Sequence, residues 1–328
     1  MKYMEIGRSG IRASVITFGG MGIGGGTWWR GSEDEESIRT LHRAFDMGIN
    51  SVDTAPVYGF GHSEEVIGKA IKGRRGDVVI STKCGLWWED GEGSFRFEKD
   101  GHMVRRNLSA RTLRIELENS LRRLGTDYID IYYTHNPTCP PFITPYEETL
   151  GTLMDFKKEG KIRAIGASNM TPEEVVSYTG CGDVDIIQGR YSMLSRGPEG
   201  EGGLLEQCRE MGMSFHAYQP LERGLLTGKI GGDYVVPAGD AREGDPWWSA
   251  EKRPKALAFV EALREIAARY GCPLSNLPLA YLRGQGDDIN VICGARRVSQ
   301  IEETALAADL TLAEADLREI RKLADELQ

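Results

Sequence analysis

The stretch "ARTLRIELENSLRRLGTDYIDIYYTHNP" (residues 110–137) decides the fold. Leu113, Leu117, Leu121 and Leu124 recur at helical spacing and make one apolar face, and Gly125 follows where a left-handed residue ends a helix. The pattern then changes. "YIDIYYT" (128–134) is a short run of Ile and Tyr with weak alternation, as expected of a strand buried on both faces in a parallel sheet. A helix turning sharply into such a strand is a unit of α/β proteins.

Seven further runs of the same kind lie on either side: "SVITF" (14–18), "NSVDT" (50–54), "DVVIST" (77–82), "IRAIGAS" (162–168), "VDIIQG" (184–189), "MSFHAY" (213–218) and "INVICG" (289–294). Between them, "SEDE" (32–35), "TPYE" (144–147), "TPEE" (171–174) and "TLAE" (311–314) put Ser or Thr three residues ahead of Glu, the spacing of a reciprocal helix cap. Two of these also place Pro at the first helical position, where its missing N–H leaves no bond unmade. Eight strands alternating with helices predict a (β/α)8 TIM barrel with long βα loops. The opening "YMEIG…IRASV" is expected to form an N-terminal β-hairpin across one end. A doubly wound sheet is the other arrangement such alternation allows. No low-complexity linker divides the chain, so residues 1–328 are expected to form one domain.

Forty Lys plus Arg against 49 Asp plus Glu give a formal net charge of −9. That argues against nucleic acid or an anionic membrane as the main partner, and any basic site must be local and suited to a small anion. The six cysteines are nowhere closer than 21 residues. With no CxxC pair, structural zinc is not expected, and the scatter suits reduced thiols in a cytoplasmic protein. "MKYMEIGRSG" lacks the apolar core of a signal peptide, and no apolar run approaches a membrane span. The oligomeric state has no signature in the sequence.

In a (β/α)8 barrel the chemistry sits where strands end and βα loops begin. "NSVDTAPVYG" (50–59) ends a strand on Asp53 and presents Tyr58 on the following loop; "ISTKCG" delivers Lys83, and "YYTHNP" delivers His135. A phenol titrates near ~10 in water, so a proton donor of this type needs help at neutral pH. An ammonium beside it lowers that value, and a carboxylate fixes the ammonium. His135 is placed to orient a substrate carbonyl. This is equipment for protonating an oxygen while a hydride arrives at carbon. Taken singly, a strand-end Lys or His is more often structural, and an Asp near a turn more often caps backbone N–H groups.

In order and spacing, "DTAPVYGFGHSEEVIGKAI", "VVISTKCG", "IDIYYTHNP" and "GKIRAIGASN" resemble the signature segments of the aldo-keto reductase superfamily. The resemblance spans nearly the whole chain and is strongest to the bacterial branch related to potassium-channel β-subunits. It implies Tyr58 as general acid/base, Lys83 and Asp53 tuning it, and His135 orienting the carbonyl. It also implies an extended NADP(H) across the barrel mouth. Ser168, Asn169 and Gln188 would hold the carboxamide, Asp53 would border it, and Tyr218 would stack on the nicotinamide. Gln219, Pro220, Leu221, Gly224, Leu225 and Lys229 would follow the pyrophosphate, and Arg242 in "GDAR" resembles a flap over it. Gly294, Arg296, Gln300 and Glu303 would take the adenosine end, and arginine forks suit the 2′-phosphate, favouring NADPH over NADH. Gln219 stands where Ser is commoner, and Thr304 where Asn is.

"GGMGIGGG" (19–26) contains GxGxxG after a strand. No helix opens on these glycines, however, so they read as a flexible first βα loop with Gly20 and Met21 near the nicotinamide. All six tryptophans are paired, at 28–29, 87–88 and 247–248. Trp29, Trp87 and Trp88 are expected to wall a substrate pocket for a small carbonyl or alcohol, sugar-like or aryl, with Trp247 and Trp248 serving the flap. The rival readings are a regulatory nucleotide-binding protein on the same fold and a metal-dependent isomerase, whose carboxylate–histidine cluster the strand ends do not offer.

Overall fold

A computed structural model describes residues 1–327. Thirteen strands occur in chain order: β1 (Tyr3–Ile6), β2 (Ile11–Ser14), β3 (Ile16–Gly19), β4 (Ser51–Asp53), β5 (Val79–Cys84), β6 (Leu86–Trp87), β7 (Ser94–Lys99), β8 (His102–Arg106), β9 (Ile129–Thr134), β10 (Ile162–Ser168), β11 (Ile186–Arg190), β12 (Ser214–Tyr218) and β13 (Ile289–Gly294). Eight of them close a parallel barrel in the order β3-β4-β5-β9-β10-β11-β12-β13. These are the eight runs read from the sequence, and the barrel excludes the doubly wound sheet. The pair β1–β2 is the antiparallel hairpin, and the Gly7 N–H at its turn donates to Ser214 Oγ at the start of β12. The hairpin therefore covers the barrel end opposite the strand carboxyl termini.

The helix over Ala110–Leu124 forms as its leucines dictate: Leu113, Leu117, Leu121 and Leu124 are buried, and Gly125 ends it at φ 65°. Of the four expected reciprocal caps, only Thr171–Glu174 forms, ahead of the helix Pro172–Thr179. The helices Asp34–Asp46, Tyr146–Lys158 and Glu314–Asp325 start later than the cap spacing requires. Glu33, Pro145 and Ala313 take the N-cap position in place of Ser32, Thr144 and Thr311, so no side chain caps. Pro145 consequently precedes its helix instead of opening it.

One element was not legible as a strand set: β6, β8 and β7 form a separate antiparallel sheet between β5 and the helix Ala110–Leu124. Its tight turn is Asp100–Gly101, both at positive φ (47° and 80°). Asp-Gly between two alternating runs is the sequence mark of a two-residue hairpin turn.

Candidate active site

The carboxyl ends of the barrel strands open into a cavity of about 630 Å³. Pairing of β4 with β5 sets Asp53 against Ser81, and Lys83 follows two residues later on the same face. Lys83 Nζ donates to Asp53 Oδ1 at 2.6 Å, to the Thr54 carbonyl at 2.8 Å and to the Tyr58 hydroxyl at 3.4 Å. The second Asp53 oxygen accepts from Gln188 Nε2 at 2.9 Å and Ser81 Oγ at 3.2 Å. Asp53 and Lys83 are 4% and 1% exposed, a depth at which charges persist only when paired and hydrogen-bonded.

Tyr58 reaches this pair from the loop after β4. The loop is wound in successive turns, and Gly59 (φ 65°) lies so close to the Gly24 carbonyl that a Cβ would come within 2.1 Å. Only glycine fits there, which ties the tyrosine loop to the first βα loop. The His135 ring stands edge-on to Tyr58, centroids 5.9 Å apart. The four residues expected from the strand ends are thus brought together.

Their electrostatics depart from expectation in one respect. Burial raises the Tyr58 phenol above its ordinary value; Lys83 pulls it back, but burial, joined by Asp53, prevails. The Tyr58 phenol is therefore protonated at neutral pH. Burial alone would lower the Lys83 pKa, yet Asp53 and Tyr58 outweigh it and hold it above normal. Burial, with Lys83 and Arg96 nearby, holds His135 well below the ordinary imidazole value, so it is neutral.

Pairing of β10 with β11 sets Ser168 beside Gln188, and Ser168 Oγ donates to Gln188 Oε1 at 3.3 Å. Asn169, at φ 61°, donates to the His135 carbonyl at 2.9 Å and accepts from the Tyr218 hydroxyl at 2.7 Å, which fixes the Tyr218 ring. Met21, Pro220, Leu221 and Gly224 line the cavity. So does Gln219, whose amide oxygen, turned toward its donors, accepts from Arg223 at 3.0 and 3.1 Å. Two expected contacts do not line it. Gly20 is buried, with its carbonyl held by Ser63 Oγ at 2.9 Å, and Gly19 takes its place at the wall. Leu225 turns into the core because its neighbour Gly224 faces the cavity.

At the far end Lys229 and Glu303 pair at 2.7 Å, and Gln300 Oε1 accepts from the Arg296 backbone N–H at 2.8 Å. Thr304 donates to the Gln300 carbonyl of its own helix. The Arg242 and Arg296 guanidinium carbons lie 4.9 and 5.6 Å from the Trp29 ring centroid. Burial, then Arg242 and Arg297, depress the Arg296 pKa, a crowding of like charges relieved in part by Asp240. The buried Trp29 Nε1 has no acceptor among the described residues. A long crevice with clustered guanidiniums at one end and amide and hydroxyl groups at the other fits an extended anionic dinucleotide.

The tryptophans divide differently from their spacing. Trp28 and Trp29 both line the cavity, whereas Trp87 and Trp88 do not. The alternation of β6 sends Leu86 to the cavity and buries Trp87, whose Nε1 donates to Asp90 at 2.6 Å. Trp88 packs edge-on to Phe60, centroids 5.3 Å. Trp247 and Trp248 are buried: one donates to Ser195 Oγ, the other to the Glu222 carbonyl, and Trp248 lies under Arg242 at 5.2 Å. They anchor the base of the 238–245 loop, whose tip bonds to the first βα loop through Ala241 N–H to the Trp28 carbonyl, 3.1 Å. Arg96 and Phe97 of β7, with Leu86, also wall the cavity; they follow from the sheet missed in the sequence. Among the described residues no group of His, Cys, Asp and Glu is arranged to hold a metal ion, and no helix is long and apolar enough to cross a membrane.

The model of the aldo/keto reductase family matches residues 15–325. The chain is 42% identical to an NADH-specific methylglyoxal reductase of Escherichia coli (strain K12), covering 100% of both chains. It is 36% identical to the aldo-keto reductase YhdN of Bacillus subtilis (strain 168), covering 98% of this chain and 93% of that one. Among solved structures, the glycerol dehydrogenase of Gluconobacter oxydans superposes with a TM-score of 0.85 at 31% identity, covering 99% of this chain and 94% of that one.

Proposed function

Because the chain belongs to the aldo/keto reductase family, we propose that it reduces an aldehyde or ketone in the cytoplasm with NADPH, Tyr58 giving the proton. The observation that carries this reading is the contact chain Asp53–Lys83–Tyr58 on the cavity floor, with neutral His135 beside the phenol. A nicotinamide, when bound, would supply hydride to the carbonyl carbon. Tyr58 and His135 hydrogen-bond the carbonyl oxygen, and Tyr58 donates its proton as charge develops there. Lys83 stabilises the phenolate left behind, and Asp53 keeps Lys83 aimed. Ser168, Asn169 and Gln188 would hold the carboxamide and Tyr218 the ring face, with Arg242 and Arg296 toward the phosphates. The aromatic wall of Trp28 and Phe97 favours a substrate with an apolar or sugar-like face.

The guanidinium cluster around Arg296 supports NADPH; the relative from Escherichia coli is named for NADH. Oxidation of NADPH and of NADH, followed against a panel of aldehydes, ketones and keto-sugars, tests both points. Turnover with at least one carbonyl class, faster with NADPH at limiting cofactor, is expected. Tight cofactor binding without turnover of any member would make the chain a regulatory nucleotide-binding protein on the same barrel.

A further inference from the structure

Arg96 is an exposed cation in the cavity wall that pairs with no carboxylate among the described residues. The pairing of β7 with β8 slips at this residue: Phe95 faces Arg105 and Phe97 faces Val104, leaving Arg96 as the extra residue of a bulge. Strict alternation would turn Arg96 and Phe97 to opposite faces, but both line the cavity. Bulges beside active sites re-aim side chains in this way.

The other basic side chains of the wall have partners. Lys229 has Glu303, Arg242 has Asp240, Arg223 has Asp245, and Arg296 donates to the Arg30 carbonyl. Arg96 has neither a carboxylate nor a hydrogen-bond acceptor among the described residues. Val57, Leu86, Trp28 and Phe97, which line the same cavity, offer no charge. The field of Arg96 reaches the floor, where it helps Lys83 keep His135 neutral. The dinucleotide phosphates do not explain it. Their arginines lie on the loops after β12 and β13, whereas Arg96 stands on the sheet after β5, near enough to His135 for its charge to act there.

We infer that the substrate carries an anionic group, a carboxylate or a phosphate, beyond its carbonyl, and that Arg96 binds this group while Tyr58 and His135 bind the carbonyl oxygen. A guanidinium fork suits either anion. In a chain of net charge −9, a lone unpaired cation at the mouth also discriminates against uncharged competitors. The inference rests on the carbonyl-reductase reading given above.

The test compares the native holoenzyme with Arg96→Gln on a short aldehyde bearing a terminal carboxylate, its methyl ester, and a short aldehyde phosphate. The native protein should prefer one anion over the ester in kcat/KM, and which anion wins identifies the group. In Arg96→Gln that preference should shrink by about tenfold or more, since a hydrogen bond to a charged group is lost, and NADPH affinity should hold. An ester used at least as well as both anions, or a preference untouched by the substitution, overturns the inference. So does a variant whose main defect is in cofactor binding. If no carbonyl of any kind is reduced, the reductase reading itself has failed. Arg96 is then judged by succinate and inorganic phosphate quenching the intrinsic tryptophan fluorescence: tighter binding to the native protein than to Arg96→Gln supports an anion site, and equal binding overturns it.

Discussion

On the cavity floor, Asp53, Lys83 and Gln188 are carried by barrel strands, lie out of solvent, and bond to one another and to Ser81 and Thr54. At the rim, Trp28, Trp29, Arg96 and Arg242 come from excursions between strands: the first βα loop, the β6–β8–β7 sheet and the 238–245 loop. These are stitched together by a few bonds, such as Lys99 Nζ to the Gly239 carbonyl at 2.7 Å. Parallel register holds the floor to a fixed geometry, as proton transfer requires, while the rim can vary in residue and in position without disturbing it. On the proposed function, chemistry belongs to the floor and selectivity to the rim, and the two should fail differently.

The largest effect is expected on the floor. Lys83→Met leaves Asp53 buried without its cation, and breaking such a pair costs about 3–5 kcal/mol. Urea denaturation should show a strongly reduced midpoint together with loss of turnover. A midpoint within error of the native protein would mean that the pair does not hold the floor.

Another buried carboxylate, on the helix Ala110–Leu124, bonds to the residue that follows β5. Glu116 accepts from the Gly85 N–H at 2.7 Å, and burial pushes its pKa up to about 8. For an acid whose folded pKa is raised, the stabilisation is full below the unfolded value of 4.5 and is lost as pH climbs toward 8. Glu116→Gln, which stays neutral, should remove that part of the decline in melting temperature between these limits. An unchanged slope would assign the pH dependence elsewhere.

Rim substitutions should spare the fold. Arg296→Ala is expected to weaken NADPH by about tenfold or more and NADH by less, measured as two dissociation constants. Equal losses would make Arg296 a support for Trp29 and not a phosphate contact. Smaller still, Trp28→Ala should raise KM for bulky carbonyls by roughly two- to tenfold, the worth of an aromatic contact. Trp87→Phe should leave KM alone, since its indole points at Asp90. A KM effect at Trp87 equal to that at Trp28 would erase the division of the pairs drawn from the structure.

The same division governs what the sequence disclosed. Buried parallel strands advertise themselves as Ile- and Val-rich runs, so all eight barrel strands, and with them Asp53, Lys83 and His135 at their ends, were legible. The rim was legible only in part. "SFRFEKDGHMVRR" (94–106) carries the Asp-Gly turn mark between alternating runs, yet its hairpin lies on the barrel mouth, outside the βαβ rhythm that organised the reading. Without that sheet, Trp87 and Trp88 stood for the wall that Trp28, Leu86, Arg96 and Phe97 provide. The net shift of the Tyr58 phenol is not legible for a related reason: spacing shows which charges are near, and burial, which outweighs them here, is a property of the folded cavity.

On the proposed function, hydride and proton meet at one carbonyl beside Tyr58. This is tested most directly by supplying the native protein and Tyr58→Phe with a nicotinamide cofactor deuterated at its transferable position and a carbonyl substrate, then locating the label by mass spectrometry. The native protein should place deuterium on the carbinol carbon of the product alcohol. Tyr58→Phe should bind the cofactor with unchanged affinity and transfer the label slower by about a hundredfold or more, the usual worth of a positioned acid. Label transfer by Tyr58→Phe at a near-native rate would contradict the account.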